Sequence, residues 1–192
     1  GLSNAETRYA RENAFQLKLV ARAFAHENEI VTLVAPQFVA SSDRLFSVND
    51  EFNAVVLEGG FLEGQMLLGK GAGGYPTGSA VLSDLSALTY GYRYEYRKLK
   101  EAASQKPQID IELRVYLRYQ DKAVIADLNF SEIEERFEGR TYGYLTGKIT
   151  LEELLRLQKA GKFGDVFLAI LPEKEGQKES NSAVSAKELA LA

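Results

Sequence analysis

The feature that most constrains this chain is a glycine-rich loop that leads into a helix, within residues 69–85 (GKGAGGYPTGSAVLSDL). Glycine backbones tolerate positive φ and let another group approach closely, and the segment contains Gly69, Gly71, Gly73 and Gly74. Pro76 presets one backbone angle, and Thr77 or Ser79 can cap the helix that follows. A helix N-terminus offers free N–H groups and the positive end of its dipole. The segment therefore predicts a backbone-lined binding loop for a phosphate, a carboxylate or a cofactor amide.

The apolar residues after this loop have helical spacing. They recur every three or four positions and predict one long helix from about residue 77 to residue 103, with an apolar face formed by Val81, Leu85, Leu88, Tyr92, Tyr96 and Leu99. An aromatic platform for nucleic acid would need basic neighbours on a sheet, whereas these tyrosines are predicted on a helix. We therefore expect Tyr92 and Tyr96 to pack against a partner domain or subunit.

The first 70 residues have the pattern of a short helix followed by strands. Ser3 or Asn4 can cap a helix over residues 3–14, with Glu6 in its first turn. Pro36 is expected to end the second strand or to move it to a sheet edge. The segments after the helix are strands over 16–25 and 30–35, a loop or short helix over 37–53, and a hairpin that turns around 59–64.

The pattern restarts after a linker at residues 103–108, where Ser104 and Pro107 break regular structure. The segments that follow alternate in type: a strand over 109–120, a helix over 130–139, a strand over 141–149, a helix over 151–161 capped by Thr150, and a strand over 165–172. This order is typical of a small ferredoxin-like domain. The sequence therefore predicts an α+β protein, with a mixed sheet and long helix in residues 1–103, a ferredoxin-like domain over 108–172, and a flexible tail over 173–192.

Composition excludes several classes of function. Apolar residues make up 45% and charged residues 26% of the chain, and the formal charge of −4 leaves no nucleic-acid footprint. There is no cysteine, and the single histidine, His26, is expected in a turn or at the surface. A histidine-based triad or a multi-histidine zinc site cannot be assembled from this chain alone. No apolar run reaches the roughly 18–20 residues of a membrane span, and we expect a cytoplasmic protein.

Residues 34–85 resemble the C-terminal half of the homoserine dehydrogenase catalytic region. The resemblance is carried by Val34–Pro36, by the FNAV of Phe52–Val55, by Gly59, and above all by GKGAGGYPTGSAVLSDL. Within that last segment GAG, PT and a small-residue helix start follow in the family's order and spacing. The resemblance covers about the first 100 residues.

The resemblance implies an oxidoreductase that interconverts aspartate 4-semialdehyde and L-homoserine with NAD or NADP. This reaction lies on the aspartate route to threonine, methionine and isoleucine. A small-molecule substrate and a homodimer are implied in the same way, with no nucleic acid and no membrane as partner.

The sequence departs from the family in what it lacks. The family's Rossmann domain, with its glycine fingerprint, has no counterpart here, because GKGAGG is not followed by the acidic-ended βαβ unit of that fingerprint. Lys18, Lys70 and Lys98 lie in no context that matches the family's catalytic lysine. We therefore expect a C-terminal portion of the enzyme that contains no catalytic residue and is inactive alone.

Three residues of the loop carry over from the family as cofactor-binding residues. Gly73 matches the position whose backbone approaches the cofactor near the nicotinamide. Thr77 matches the threonine after the loop, a helix cap and cofactor contact, and Gly71 shapes the turn. The structural alternative is a tight loop that only fits the following helix onto the sheet.

The C-terminal domain has a second resemblance, to the ACT-type regulatory domains of some homoserine dehydrogenases. The aspartate–proline–glycine turn that marks the ACT ligand site is absent, since Asp121 has no Pro-Gly behind it in RYQDKAVIADLNF. The domain is thus either an effector site or a dimer contact. A stand-alone amino-acid-sensing or oligomerisation module is the alternative function for the whole chain.

Overall fold

The computed structural model describes residues 1–26, 29–60, 62–93 and 109–174. The chain forms two compact units, one made of Gly1–Ser41 with Lys106–Ala192 and the other of Ser42–Gln105. In chain order the helices and strands are α1 (Asn4–Glu12), β1 (Phe15–His26), β2 (Glu29–Ala40), β3 (Phe52–Gly59), β4 (Leu62–Lys70), α2 (Gly74–Thr89), β5 (Glu112–Tyr119), β6 (Phe130–Glu138), β7 (Gly143–Thr150), α3 (Leu151–Lys159) and β8 (Val166–Ile170).

A capping box starts the first helix. The Ser3 hydroxyl accepts a hydrogen bond from the Ala5 N–H at 3.1 Å, and the Ser3 N–H donates to Glu6 Oε2 at 2.7 Å. These bonds satisfy backbone donors that the helix itself leaves free. The predicted short helix is thus confirmed as α1.

The first unit is built on one six-stranded sheet, in the order β1-β2-β8-β5-β7-β6. The strand β7 lies between β5 and β6, which is the split arrangement of a ferredoxin-like domain. The pairing of β2 with β8 is parallel, through Gln37 and Ile170, and the other pairings are antiparallel. The predicted α+β class with a mixed sheet is confirmed.

The predicted boundary between residues 103 and 108 does not separate these units. Residues 1–41 share their sheet with β5–β8, because β2 pairs with β8, the outermost of those four strands on that side. The ferredoxin-like strands therefore do not form a body of their own, and the predicted ACT-like domain over 108–172 is an integral part of the first unit. The predicted tail falls mostly outside the described residues.

Two helices cover opposite faces of this sheet, since successive strand residues point to opposite sides. Under α3 lies a cluster of buried residues, namely Val115, Leu117, Tyr119, Leu145, Ile149, Leu154, Leu157, Val166 and Leu168. Under α1 lies an aromatic cluster that includes Tyr9, Phe38, Tyr116 and Phe167. Burial raises the pKa of Tyr9 to about 12.

Two predictions within this unit are wrong. The predicted helix over 130–139 is the strand β6, whose register against β7 shifts twice, near Phe130 and near Ile133. Each bulge adds a residue and changes the side to which the next side chains point, so the apolar residues acquire helical spacing.

Pro36 lies inside β2, opposite Leu19 of β1. The strand β2 neither ends at Pro36 nor lies at the sheet edge, since it runs between β1 and β8. Pro36 is tolerated because β2 pairs with β8 only at Gln37, so no N–H is required at position 36.

The second unit consists of the β3–β4 hairpin and α2, with a 3-10 turn over Arg44–Ser47 before them. The hairpin and the glycine loop after it confirm the sequence prediction. The helix is shorter than predicted: it ends at Thr89, and Gly91 follows at φ +69°. A left-handed glycine just after the last turn is a common helix terminator. Tyr92 therefore lies beyond the helix, while Tyr96 and Leu99 lie outside the described residues.

Candidate functional site

The start of β3 anchors the entry to the glycine loop. The Gly71 N–H donates to the Glu51 carbonyl oxygen at 3.0 Å, and Lys70 Nζ lies 2.8 Å from Glu51 Oε1. The hydrogen bond from Lys70 lowers the pKa of Glu51. Lys70 Nζ also lies 5.3 Å from the centre of the Phe52 ring. Residues 70–71 are therefore held by three contacts with Glu51 and Phe52 before the chain turns.

The side chain of Asn53 lies where a side chain of residue 71 would begin. A Cβ built on it would lie 1.5 Å from Nδ2 of Asn53 and 2.7 Å from its Cγ. The carboxamide of Asn53 thus occupies the space that any other residue at position 71 would need. The predicted turn-shaping role of Gly71 has this close approach as its physical basis.

Gly73 has the one positive φ of the loop, +104°, and it is the N-cap residue of α2. Its carbonyl oxygen accepts the N–H of Thr77 at 3.2 Å, and no side chain caps the helix. The N–H groups of the first turn consequently have no partner in the helix, and Pro76 has none to offer. They remain available to a ligand.

The predicted capping role of Thr77 and Ser79 is wrong. The helix begins at Gly74, so that both residues lie within it. Glycine is an accepted N-cap residue. The positive φ at Gly73 lets the helix begin at Gly74, three residues before Thr77. Thr77 is still in the first turns of α2, next to the free N–H groups.

A shallow hollow of about 360 Å³ lies over the hairpin at the base of the loop. It is lined by Asn53, Ala54, Val55, Leu67, Leu68, Gly69, Lys70 and Gly71. Of the three predicted site residues, Gly71 lines this hollow, while Gly73 and Thr77 follow it at the start of α2. Sequence reasoning missed Asn53 and Glu51. The signal was present in FNAV, but only the hairpin register, with Asn53 opposite Gly69, places that segment on the loop.

The remaining candidate residues have ordinary surroundings. Lys70 pairs with Glu51, burial lowers the pKa of Lys18, and Lys98 lies outside the described residues. Asp121 accepts the Ala123 N–H at 2.9 Å and caps a 3-10 turn. In the part of the chain that the structure describes, no three acidic, histidine or cysteine side chains converge as a metal site would require. Nor does any helix there have the length and apolarity to span a membrane.

Two solved structures share the fold of this chain. The solved homoserine dehydrogenase of Thiobacillus denitrificans is similar to 90% of this chain, with a TM-score of 0.63 and 23% identity, and the match covers 46% of that chain. A Staphylococcus aureus homoserine dehydrogenase at pH 8.5 matches 90% of this chain and 45% of its own, with a TM-score of 0.52 and 21% identity.

Sequence comparison also finds homoserine dehydrogenases. Residues 1–86 match the family model described as homoserine dehydrogenase. The Corynebacterium glutamicum homoserine dehydrogenase is 37% identical over 93 residues, which is 44% of this chain and 21% of that protein. The Bacillus subtilis homoserine dehydrogenase is 26% identical over 170 residues, which is 83% of this chain and 36% of that protein. Residues 1–86 are thus similar to the homoserine dehydrogenase family, which confirms the resemblance, and the chain spans 21% and 36% of the length of these two relatives.

Proposed function

We propose that this chain is the C-terminal portion of a homoserine dehydrogenase. The whole enzyme interconverts aspartate 4-semialdehyde and L-homoserine with NAD or NADP, in the cytoplasm, on the route to threonine, methionine and isoleucine. The observation that carries the proposal is the glycine loop, which combines the family's GAG–PT order with an uncapped helix N-terminus and a positive φ at Gly73.

The loop fits a nicotinamide cofactor on three counts. Gly73 has only Pro76 Cδ within 4 Å of a built Cβ, at 3.7 Å, and Gly74 has no atom within that distance. A planar amide can therefore approach the backbone closely. The free N–H groups of α2 match an amide or phosphate oxygen, and Thr77 places a hydroxyl beside them.

In this proposal the loop binds and orients, and the reacting groups come from elsewhere. When bound, the nicotinamide supplies the hydride that reduces the aldehyde carbon, while a proton reaches the oxygen. Gly71 and Gly73 set the backbone against the cofactor, and Thr77 adds a contact. No residue of this chain is assigned a catalytic role, so the chain alone is expected to be inactive.

The substitution Gly73→Val in the full-length enzyme tests the binding role. A branched side chain there blocks close approach, and we expect the KM for NADPH to rise about tenfold or more. The positive φ at Gly73 also strains any side chain, so the melting temperature falls as well. Gly161→Val is the control, because Gly161 also has a positive φ, +73°, but lies outside the glycine loop; it should lower the melting temperature and leave the KM for NADPH unchanged. For Gly73→Val, a lower melting temperature with unchanged cofactor kinetics would favour the purely structural loop.

We also propose that the enzyme is a homodimer, as the resemblance implies. Support comes from α2, where large apolar side chains are more than half exposed: Val81, Leu82, Leu85 and Leu88. Soluble proteins rarely leave such a surface uncovered. Light scattering of the full-length enzyme should give twice the chain mass, and Leu82→Glu with Leu88→Glu should give a monomer. An unchanged mass for the double variant would exclude this surface.

A further inference from the structure

We infer that Asn53 is a positioning residue for the glycine loop, and that it acts by filling the place of a side chain at Gly71. The inference rests on the proposed function, because it assigns Asn53 a role in cofactor affinity. It concerns a residue that lies sixteen or more positions from the loop in sequence and contacts it only through the hairpin.

The Asn53 carboxamide lies against the backbone of Gly71. A Cβ on Gly71 would lie 1.5 Å from Asn53 Nδ2, 2.7 Å from Cγ and 3.5 Å from Oδ1. The first two distances are shorter than the 3.0 Å below which something must shift. The carboxamide therefore covers the Gly71 backbone, and a side chain at position 71 would have to push the exposed Asn53 side chain aside.

The hairpin register fixes the backbone position of Asn53. In the hairpin register Phe52 pairs with Lys70 and Asn53 with Gly69. One residue further on, the Gly71 N–H bonds the Glu51 carbonyl at 3.0 Å, while Lys70 Nζ pairs with the Glu51 carboxylate at 2.8 Å. The pairing of β3 with β4 thus places the Cα of Asn53 beside the loop, and the carboxamide extends from there over Gly71.

The contact between Asn53 and Gly71 lies close to the part of the loop that faces the ligand. Asn53 and Gly71 line the same hollow of about 360 Å³. Two residues after Gly71 the chain reaches Gly73 at φ +104°, where the free N–H groups of α2 begin. Only one residue separates Gly71 from Gly73, so a displacement of the Gly71 backbone also displaces these N–H groups. Misplacement of binding groups by about 1 Å is enough to weaken a bound state substantially.

The test compares four variants of the full-length enzyme. Asn53→Ala removes the carboxamide and Gly71→Ala displaces it, and each should raise the KM for NADPH about tenfold with kcat within about twofold, as loss of uniform binding predicts. In the double variant the new methyl group takes the vacated space, so that the KM should recover to within about threefold of the wild type, a strong non-additivity. Asn53→Asp keeps the shape of the side chain and should leave the KM nearly unchanged.

A second measurement on the isolated 192-residue chain separates packing from cofactor binding. Amide hydrogen exchange of residues 71–75 should accelerate in both single variants and recover in the double variant. Gly69→Ala is the matched control, because its Cβ meets no atom within 4 Å, and it should not change exchange.

The outcomes are distinguishable. Additive single effects on KM, or unchanged KM with altered exchange, would overturn the positioning role while leaving the proposed function in place. A wild-type enzyme without nicotinamide-dependent activity would overturn the proposed function and with it the cofactor role of Asn53. The exchange data would then still report whether Asn53 fixes the loop.

Discussion

At the level of single residues, Glu6 connects the first helix to the centre of the sheet. Its side chain is fully buried and forms an ion pair with Arg118, which is 8% exposed and also donates to the Gly1 carbonyl at 2.7 Å. Removing one partner of a buried pair leaves the other charge without compensation. Glu6 also closes the capping box of α1.

We therefore predict that Glu6→Ala lowers the free energy of unfolding by about 3–5 kcal/mol. Urea unfolding followed by circular dichroism measures the change. Glu12→Ala, at an exposed position of the same helix, is the control and should cost less than about 1 kcal/mol. A loss below 1 kcal/mol for Glu6→Ala would show that Arg118 finds another partner or solvent.

Glu134 provides a pH-dependent contribution to stability. It accepts from Arg114 Nε at 2.9 Å and Nη2 at 2.6 Å, and Lys174 Nζ lies 3.2 Å away. The hydrogen bonds from Arg114 lower its pKa from the ordinary value of 4.5. Because the folded state has the lower pKa, the stabilisation is complete above about pH 4.5 and is lost as the pH falls through the folded value.

We expect Glu134→Gln to cost roughly 2–3 kcal/mol at pH 7, and the difference from the wild type to shrink steadily below pH 4.5. Urea unfolding at a series of pH values measures both. A difference that stays constant down to pH 3 would mean that the carboxylate charge contributes nothing.

At the level of elements, the pairing of β6 with β7 depends on Gly147. This residue lies opposite Ile133, between the two register shifts of β6, and a Cβ on it would lie 2.1 Å from the Glu132 carbonyl oxygen. A backbone oxygen cannot rotate away as a flexible side chain can. The strand β6 must therefore move if position 147 gains a methyl group.

Gly147→Ala should lower the free energy of unfolding by about 1–3 kcal/mol, as overpacking does, and it should expose the β6 amides to hydrogen exchange. Gly164→Ala is the matched control because its Cβ meets no neighbour. Unchanged protection of β6 would contradict this account of the bulges.

The elements also show which sequence signals were sufficient. Local signals were sufficient for two helix starts. Of the two predicted caps of α1, Ser3 and Asn4, the structure has Ser3, and the hydroxyl of Thr150 accepts the Glu153 N–H at 3.3 Å, as its predicted capping role requires. The β6 prediction failed because bulges, which depend on the partner strand, changed the apolar spacing. The role of Asn53 was not predictable, since it depends on the register of β3 against β4.

At the level of the whole molecule, the first unit is assembled from both ends of the chain. Tyr9 and Phe38 pack on Tyr116 with ring centres 4.7 Å and 5.5 Å apart, and β2 extends the sheet from β8. The predicted division at residue 103 differs from the boundaries of the compact units, because a linear pattern does not reveal that distant strands share a sheet. Most segment types followed from local pattern, with β6 the exception, whereas the grouping of the strands depends on tertiary pairing.

This assembly makes the behaviour of fragments predictable. Residues 1–103 alone lack β5–β8 and leave the aromatic cluster of Tyr9 and Phe38 exposed. We expect this fragment to unfold without a cooperative thermal transition, while the 192-residue chain melts cooperatively. Circular dichroism melting compares the two, and a cooperative transition in the fragment would show that the first half folds by itself.

The most direct test of the proposed function is a comparison of dehydrogenase turnover with and without the segment that precedes this chain in the enzyme. NADPH oxidation with aspartate 4-semialdehyde is followed for the isolated 192-residue chain and for the full-length enzyme. We predict turnover by the full-length enzyme and none above background by the chain, because the glycine loop forms only part of the cofactor site. Turnover by the isolated chain, or an inactive full-length enzyme, would contradict this account.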